Sequence, residues 1–225
     1  MNRAELVSYI NNSIMLGNVV TENSEIYKSF VKDAADYYSG MEGRLLGCVC
    51  IDNTFYVKKD DNGRIHLTFF DGGYEDLDLG DCIDIIDEYA FAWEEKLKTI
   101  VGKSVIEIKY DAFYRSSIEE INFPNVVEIG EGSFELTPLK KVVLNSIKEV
   151  PIYAFAKTSL ESFRGDKVGV VEDWAFKDCN KLKEIYLPTA EMLAPSCFSN
   201  CRALNKAHVP DTCINQRYAL TLAKW

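Results

Sequence analysis

Between residues 77 and 210 the apolar positions of the chain repeat on a fixed template. Its anchor is a small residue followed by phenylalanine: Ala90-Phe91, Ala112-Phe113, Ser133-Phe134, Ala154-Phe155, Ala175-Phe176 and Cys197-Phe198. The phenylalanines stand 22, 21, 21, 21 and 22 residues apart. Five residues before each lies Ile86, Ile108, Ile129, Val150, Val171 or Leu193, and eight before it Ile83, Val105, Val126, Ile147, Val168 or Ala190. Five or six residues after it comes Leu97, Ile118, Leu139, Leu160, Leu182 or Leu204; three further on comes Ile100, Ile121, Val142, Phe163, Ile185 or Ala207. These spacings fit neither one continuous helix nor one long strand. A unit of this length is a single layer and cannot bury so many apolar groups alone. Stacking unit on unit does bury them, and pairs the backbones at about 4.8 Å per coil. Each buried Phe or Leu then contributes roughly 1.5–3 kcal/mol. The small residue before each ring leaves room for the neighbouring coil, where a bulkier one would overpack the stack.

Both flanks lack the template. Leu6, Tyr9, Ile10 and Ile14 mark an amphipathic helix; Ile26, Phe30, Ala34, Tyr37 and Tyr38 mark a second, closed by Gly40. Residues 45–51, 54–59 and 64–70 read as strands, the last two joined by a hairpin at Asn62-Gly63. Residues 1–75 are therefore expected to form a small α+β region on the first coil, either as a cap or as a separate domain. Residues 211–225 predict a closing helix, begun by Asp211 and presenting Ile214, Tyr218, Leu222 and Trp225 to the last coil. The solenoid proper is expected over 76–210.

The best-formed unit, Val171-Glu-Asp-Trp-Ala-Phe-Lys-Asp-Cys-Asn-Lys-Leu-Lys-Glu-Ile-Tyr-Leu-Pro188, resembles the BspA-type leucine-rich repeat of bacterial proteins. The resemblance implies a right-handed leucine-rich solenoid of about six coils, within an α+β chain, that binds proteins or host surfaces. Phe163 departs from the pattern, standing where a β-branched residue is usual.

Composition narrows the function. The chain has 225 residues, 25 basic and 35 acidic, for a net charge of −10. That balance argues against nucleic acid and anionic membrane as partners, since both reward clustered Lys and Arg. Near the start, the longest apolar run is Ile14-Met15-Leu16, whereas a secretory signal needs roughly 7–15 residues. A cytoplasmic location with seven reduced cysteines is the expectation; the resemblance implies a secreted or surface location as the alternative.

Candidate chemistry is sparse. Cys179, Cys197, Cys201 and Cys213 invite a metal reading, but their spacing follows the repeat, and small buried side chains account for them. His66 lies on the third strand and Cys48 and Cys50 on the first, so a Cys–His pair is conceivable, though no nucleophile turn accompanies it. Residues 71–95 carry ten acidic and no basic residues, out of register with a calcium loop, and read as a solvated ridge. No catalytic residue, metal or cofactor is expected. The outward positions of the strand after each Leu alternate with the buried ones. Glu120, Asn122, Lys141, Arg164, Glu184, Tyr186, Lys206 and His208 then form a mixed-charge face for a protein ligand. The chain is read as a non-enzymatic binding module. An N-terminal enzymatic or ligand-binding activity with the repeats as targeting arm is the alternative, and self-assembly of the coils a third reading.

Overall fold

Phe91, Phe113, Phe134, Phe155, Phe176 and Phe198 are all fully buried and stack into one ladder in the computed structural model. Successive ring centroids are 4.9, 5.2, 5.3, 5.3 and 5.3 Å apart, with planes within 19° of parallel. The structure describes residues 2–21, 23–25, 28, 45–52 and 54–223. The second predicted helix, on Ile26, Phe30, Ala34, Tyr37, Tyr38 and Gly40, lies outside the described residues, as does Trp225.

Each coil turns around its Phe. The Phe N–H donates to the carbonyl of the small residue one coil on, for example Phe113 to Ser133 at 2.8 Å and Phe176 to Cys197 at 2.8 Å. Ala90, Ala112, Ser133, Ala154, Ala175 and Cys197 have no exposed surface, so the crowding inferred from their size is real. The turn places two left-handed residues in most coils, two before and two after the ring, among them Tyr89 and Trp93, Asp111 and Arg115, Tyr153 and Lys157. Such backbone costs roughly 1–2 kcal/mol per non-glycine residue, which the stacked turns must hold in place.

Two columns of short parallel strands run beside the ladder. The first comprises β5 (Ile85–Ile86), β7 (Glu107–Ile108), β9 (Glu128–Ile129), β11 (Glu149–Val150), β13 (Val170–Val171) and β15 (Met192–Leu193). The second comprises β4 (Asp76–Asp78), β6 (Thr99–Val101), β8 (Glu120–Asn122), β10 (Lys141–Val143), β12 (Ser162–Arg164), β14 (Glu184–Tyr186) and β16 (Lys206–His208). Both columns are interrupted at the same level: β9 does not pair with β11, nor β10 with β12. One cause is written in the sequence. Lys109, Gly130 and Glu172 each donate their N–H to the preceding coil (to Ile86, Ile108 and Val150), but the equivalent residue at the break is Pro151, which has no N–H. The Phe turns continue across this seam, with Phe134 donating to Ala154 at 2.9 Å.

At the N-terminal end, β1 (Val49–Ile51), β2 (Phe55–Lys59) and β3 (Ile65–Phe70) form an antiparallel meander, and β3 pairs in parallel with β5. The meander thus shares a sheet with the first coils. Asp60 shapes the predicted hairpin by accepting from the N–H groups of Asn62 and Arg64 at 2.9 and 2.8 Å. Helix α1 (Arg3–Met15) buries Leu6, Ile10 and Ser13. Tyr9 and Ile14, expected inside, are exposed, because the helix covers its sheet with a narrow i, i+4, i+7 stripe. Arg3 anchors it to Asp84 of the first coil at 2.5 Å.

The closing helix also differs from expectation. It is the single short helix α2 (Gln216–Leu222), entered through left-handed Asn215 rather than begun at Asp211. Its buried contacts are Ala219 and Ala223, with Cys213 just before it, while Ile214 and Tyr218 are exposed. Small residues let the helix lie close to the last coil. Two template positions are less buried than predicted: Ala207, where no further coil is stacked, and Val142, which borders the seam. Phe163 fits without strain on the packing, edge-on to Phe176 at 4.9 Å and tilted against Phe155 at 5.3 Å.

Candidate recognition face

The second strand column carries every residue of the expected face, and strand register decides which of them meet. Across β12, β14 and β16, Arg164 stands opposite Tyr186 and Tyr186 opposite His208, with Ser162, Glu184 and Lys206 in the adjacent row. The Arg164 guanidinium lies 4.2 Å from the Tyr186 ring centroid and donates through Nε and Nη2 to Asp166 at 2.8 and 2.7 Å. His208 packs against Tyr186, with ring centroids 5.6 Å apart, and its Nε2 is 3.3 Å from Glu184. Lys206 reaches the same Glu184 at 3.7 Å. Glu120, Asn122 and Lys141 belong to the other sheet of the column, where Lys141 pairs with Glu120 at 2.5 Å. The face therefore falls into two groups divided by the seam.

A ladder of lysine–glutamate pairs borders this face. Lys98 meets Glu75, Lys140 meets Glu119 and Lys183 meets Glu161, each across one coil. Exposed pairs of this kind are screened by water and add little stability, so their main effect is to leave the column nearly neutral. What then stands out is the Arg164–Tyr186–His208 row, where an exposed cation and an exposed imidazole flank a half-buried phenol.

The other candidates resolve into structural roles. His66 Nδ1 is 2.8 Å from Asp87, and its Nε2 is 3.5 Å from Asp60. Lys58 and Lys109 converge on the same buried Asp87 at 2.9 and 3.1 Å, and Thr68 donates to it at 3.2 Å. Burial alone would raise the Asp87 pKa, but the bonds from His66 and Lys58 hold it well below the usual carboxylate range. Cys48 instead packs in a separate small cluster with Val20, Leu45 and Tyr56. The acidic run at 71–95 is only partly a solvated ridge, since Asp84 and Asp87 are drawn inward to tie the N-terminal meander to the first coils. The repeat cysteines behave as small buried groups: Cys179 donates to the Phe155 carbonyl at 3.0 Å and Cys201 to that of Phe176 at 2.9 Å. At the same position of the third coil, Thr137 instead donates to the Phe134 carbonyl of its own coil at 2.8 Å. Among the described residues no group of three or more His, Cys, Asp or Glu is placed to hold a metal ion. No described helix is long and apolar enough to cross a membrane.

Six copies of the BspA type leucine rich repeat region match the sequence, over residues 67–183 and 148–220. The chain belongs to the BspA-type leucine-rich repeat family. Solved leucine-rich repeat proteins share the fold. A leucine-rich repeat protein of T. pallidum aligns with a TM-score of 0.62 at 18% identity, covering 77% of this chain and 95% of that one. One from Eubacterium ventriosum gives 0.60 at 23% identity, covering 73% and 48%. A leucine rich cell surface protein from Faecalibacterium prausnitzii gives 0.52 at 22% identity, covering 79% and 42%. This BspA-type chain thus spans under half the length of the last two. Among functionally curated proteins nothing matches.

Two surface features were not anticipated from the sequence. One is a strip of aromatic residues outside the Phe turns, where Tyr153 stacks on Trp174 at 5.4 Å and Tyr89 meets Tyr110 edge-on at 5.5 Å. The recurrence of Tyr or Trp two residues before the ring was its visible signal. The other is the seam, signalled by Pro151 alone.

Proposed function

We propose that this protein is a non-enzymatic recognition module whose second strand column binds a protein ligand, with Arg164 and Tyr186 as its anchors. The reading rests on one observation: an exposed arginine whose guanidinium lies over the ring of a half-buried tyrosine, braced by Asp166 and flanked by His208. Arg and Tyr dominate the energetics of protein interfaces because they bring large, rigid area with polar edges. Here both are already ordered before any partner arrives, which lowers the entropy cost of association. Membership of a family whose solved F. prausnitzii neighbour is a cell surface protein supports a binding role.

The test uses the intact chain as bait against extract of its native host, followed by mass-spectrometric identification. Arg164→Glu and Tyr186→Ala are each expected to abolish capture of the bound protein. Thermal stability should stay within about 1 kcal/mol of wild type, since both side chains lie on the surface. Unchanged capture after every substitution on this face would remove it as the binding surface. Fractionation of the same cells decides between a cytoplasmic and a surface location.

A further inference from the structure

We propose that the seam in the first strand column forms a second docking site, taking an extended segment of a partner protein that alternates basic and apolar residues. A cleft of about 670 Å³ opens there, between the third and fourth coils. Its floor is apolar, built from Tyr110, Val127, Ile129 and Pro151. Val127 is 56% exposed and Tyr110 44%, high values for side chains of this type in a folded repeat. The missing ladder between β9 and β11 leaves strand-edge backbone groups beside this floor, and such groups suit an extended peptide.

Charge selects the occupant. Glu128, Glu131, Glu149 and Glu172 line the cleft, against Lys148 as its one cation. Among the described residues none of these four carboxylates makes an ion pair, whereas Glu75, Glu119, Glu120, Glu161 and Glu184 on the other column each meet a lysine. Glu128 stands directly opposite Glu107 on β7; Glu107 meets Arg64 at 4.0 Å, whereas Glu128 has no such cation among the described residues. Burial, a hydrogen bond with Glu172 and the nearby charges of Glu172 and Glu128 push the Glu149 carboxyl above its ordinary range, as crowded carboxyls without a cation do. Guanidinium groups fit this gap: they are planar, always charged and pair bidentately with carboxylates. Alternation then sets apolar side chains on Val127 and Tyr110 while basic ones face the glutamates.

Fluorescence anisotropy with a labelled heptapeptide of alternating arginine and valine tests the site. Saturable binding is expected, weakened at least tenfold by the double substitution Glu128→Gln/Glu149→Gln and several-fold by Val127→Ser. Unchanged thermal melts would verify that both variants fold. The glutamate–valine counterpart should not bind, and Arg164→Glu should bind like wild type. No binding overturns the proposal, and so does binding indifferent to the double substitution. Hepta-arginine binding as tightly, with no effect of Val127→Ser, would reduce the cleft to general charge attraction and equally overturn it. Sensitivity to Arg164→Glu would move the peptide to the other face. Because the two sites share no residue, either can fail while the other stands.

Discussion

At the scale of single residues, Asp111 shows how the coil geometry dictates chemistry. It occupies a left-handed turn position (φ 49°) and is 7% exposed. In the next coil the same position is Gly132, where a Cβ would stand 2.0 Å from an Asp111 carboxylate oxygen. Glycine here is a steric requirement of its neighbour. Burial pushes the Asp111 carboxyl up to about 7; the hydrogen bond with Tyr110 opposes the shift, and Glu135 and Glu131 add to it. An aspartate in the unfolded chain titrates near 3.9. The native state therefore holds this proton more tightly, and Asp111 removes stability as the pH rises from about 4 to about 7. Its local slope approaches 1.4 kcal/mol per pH unit, roughly, and vanishes above that window. Asp111→Asn is expected to flatten the dependence, measured as urea midpoints from pH 4 to 8. An unaltered slope would assign the effect to other carboxylates. None of this was legible in the sequence, because an Asp two residues before a Phe says nothing of the glycine one coil away.

At the scale of elements, the inward positions were readable and the ends were not. Six phenylalanines and their companions at −8 and −5 could be placed because a repeat states its own register many times over. The helices α1 and α2 each state theirs once, and their short buried stripes were set by what they lie on. The outward alternation of the second column was also legible, down to Arg164 and Tyr186. Its division was not, since the absent pairing of β10 with β12 has no counterpart in residue pattern. Hydrogen exchange should expose that division. The amides of Lys148 and Glu161 are expected to exchange faster than those of Gly169 and Lys183, which donate to Lys148 and Glu161 at 2.8 Å. Equal protection on both sides would mean the ladders close in solution.

At the scale of the molecule, cooperativity depends on how the halves are joined. Repeat arrays hold together through nearest-neighbour interfaces, and here the interface between the third and fourth coils lacks strand pairing in both columns. There the contact is made by the Phe turns, by Phe134 stacking on Phe155 at 5.3 Å, by the Lys157–Glu135 ion pair at 3.3 Å and by the shared apolar core. Phe155→Ala is expected to cost about 3–5 kcal/mol, typical of truncating a buried phenylalanine. It should also split a single unfolding transition in two. Single-tryptophan variants retaining Trp93 or Trp174 would report the two halves separately. Coincident midpoints from both probes would show the remaining contacts suffice to keep the array whole.

The coincidence of both strand breaks at one level has a practical outcome for anyone wishing to recombine these arrays. A crossover placed there severs no strand pairing, so front coils from one homologue can be grafted onto rear coils from another with the Phe turns, the ring stack, one ion pair and the core packing to match. Libraries of such chimaeras would sample new combinations of front and rear coils, with the cleft at the junction rebuilt in each.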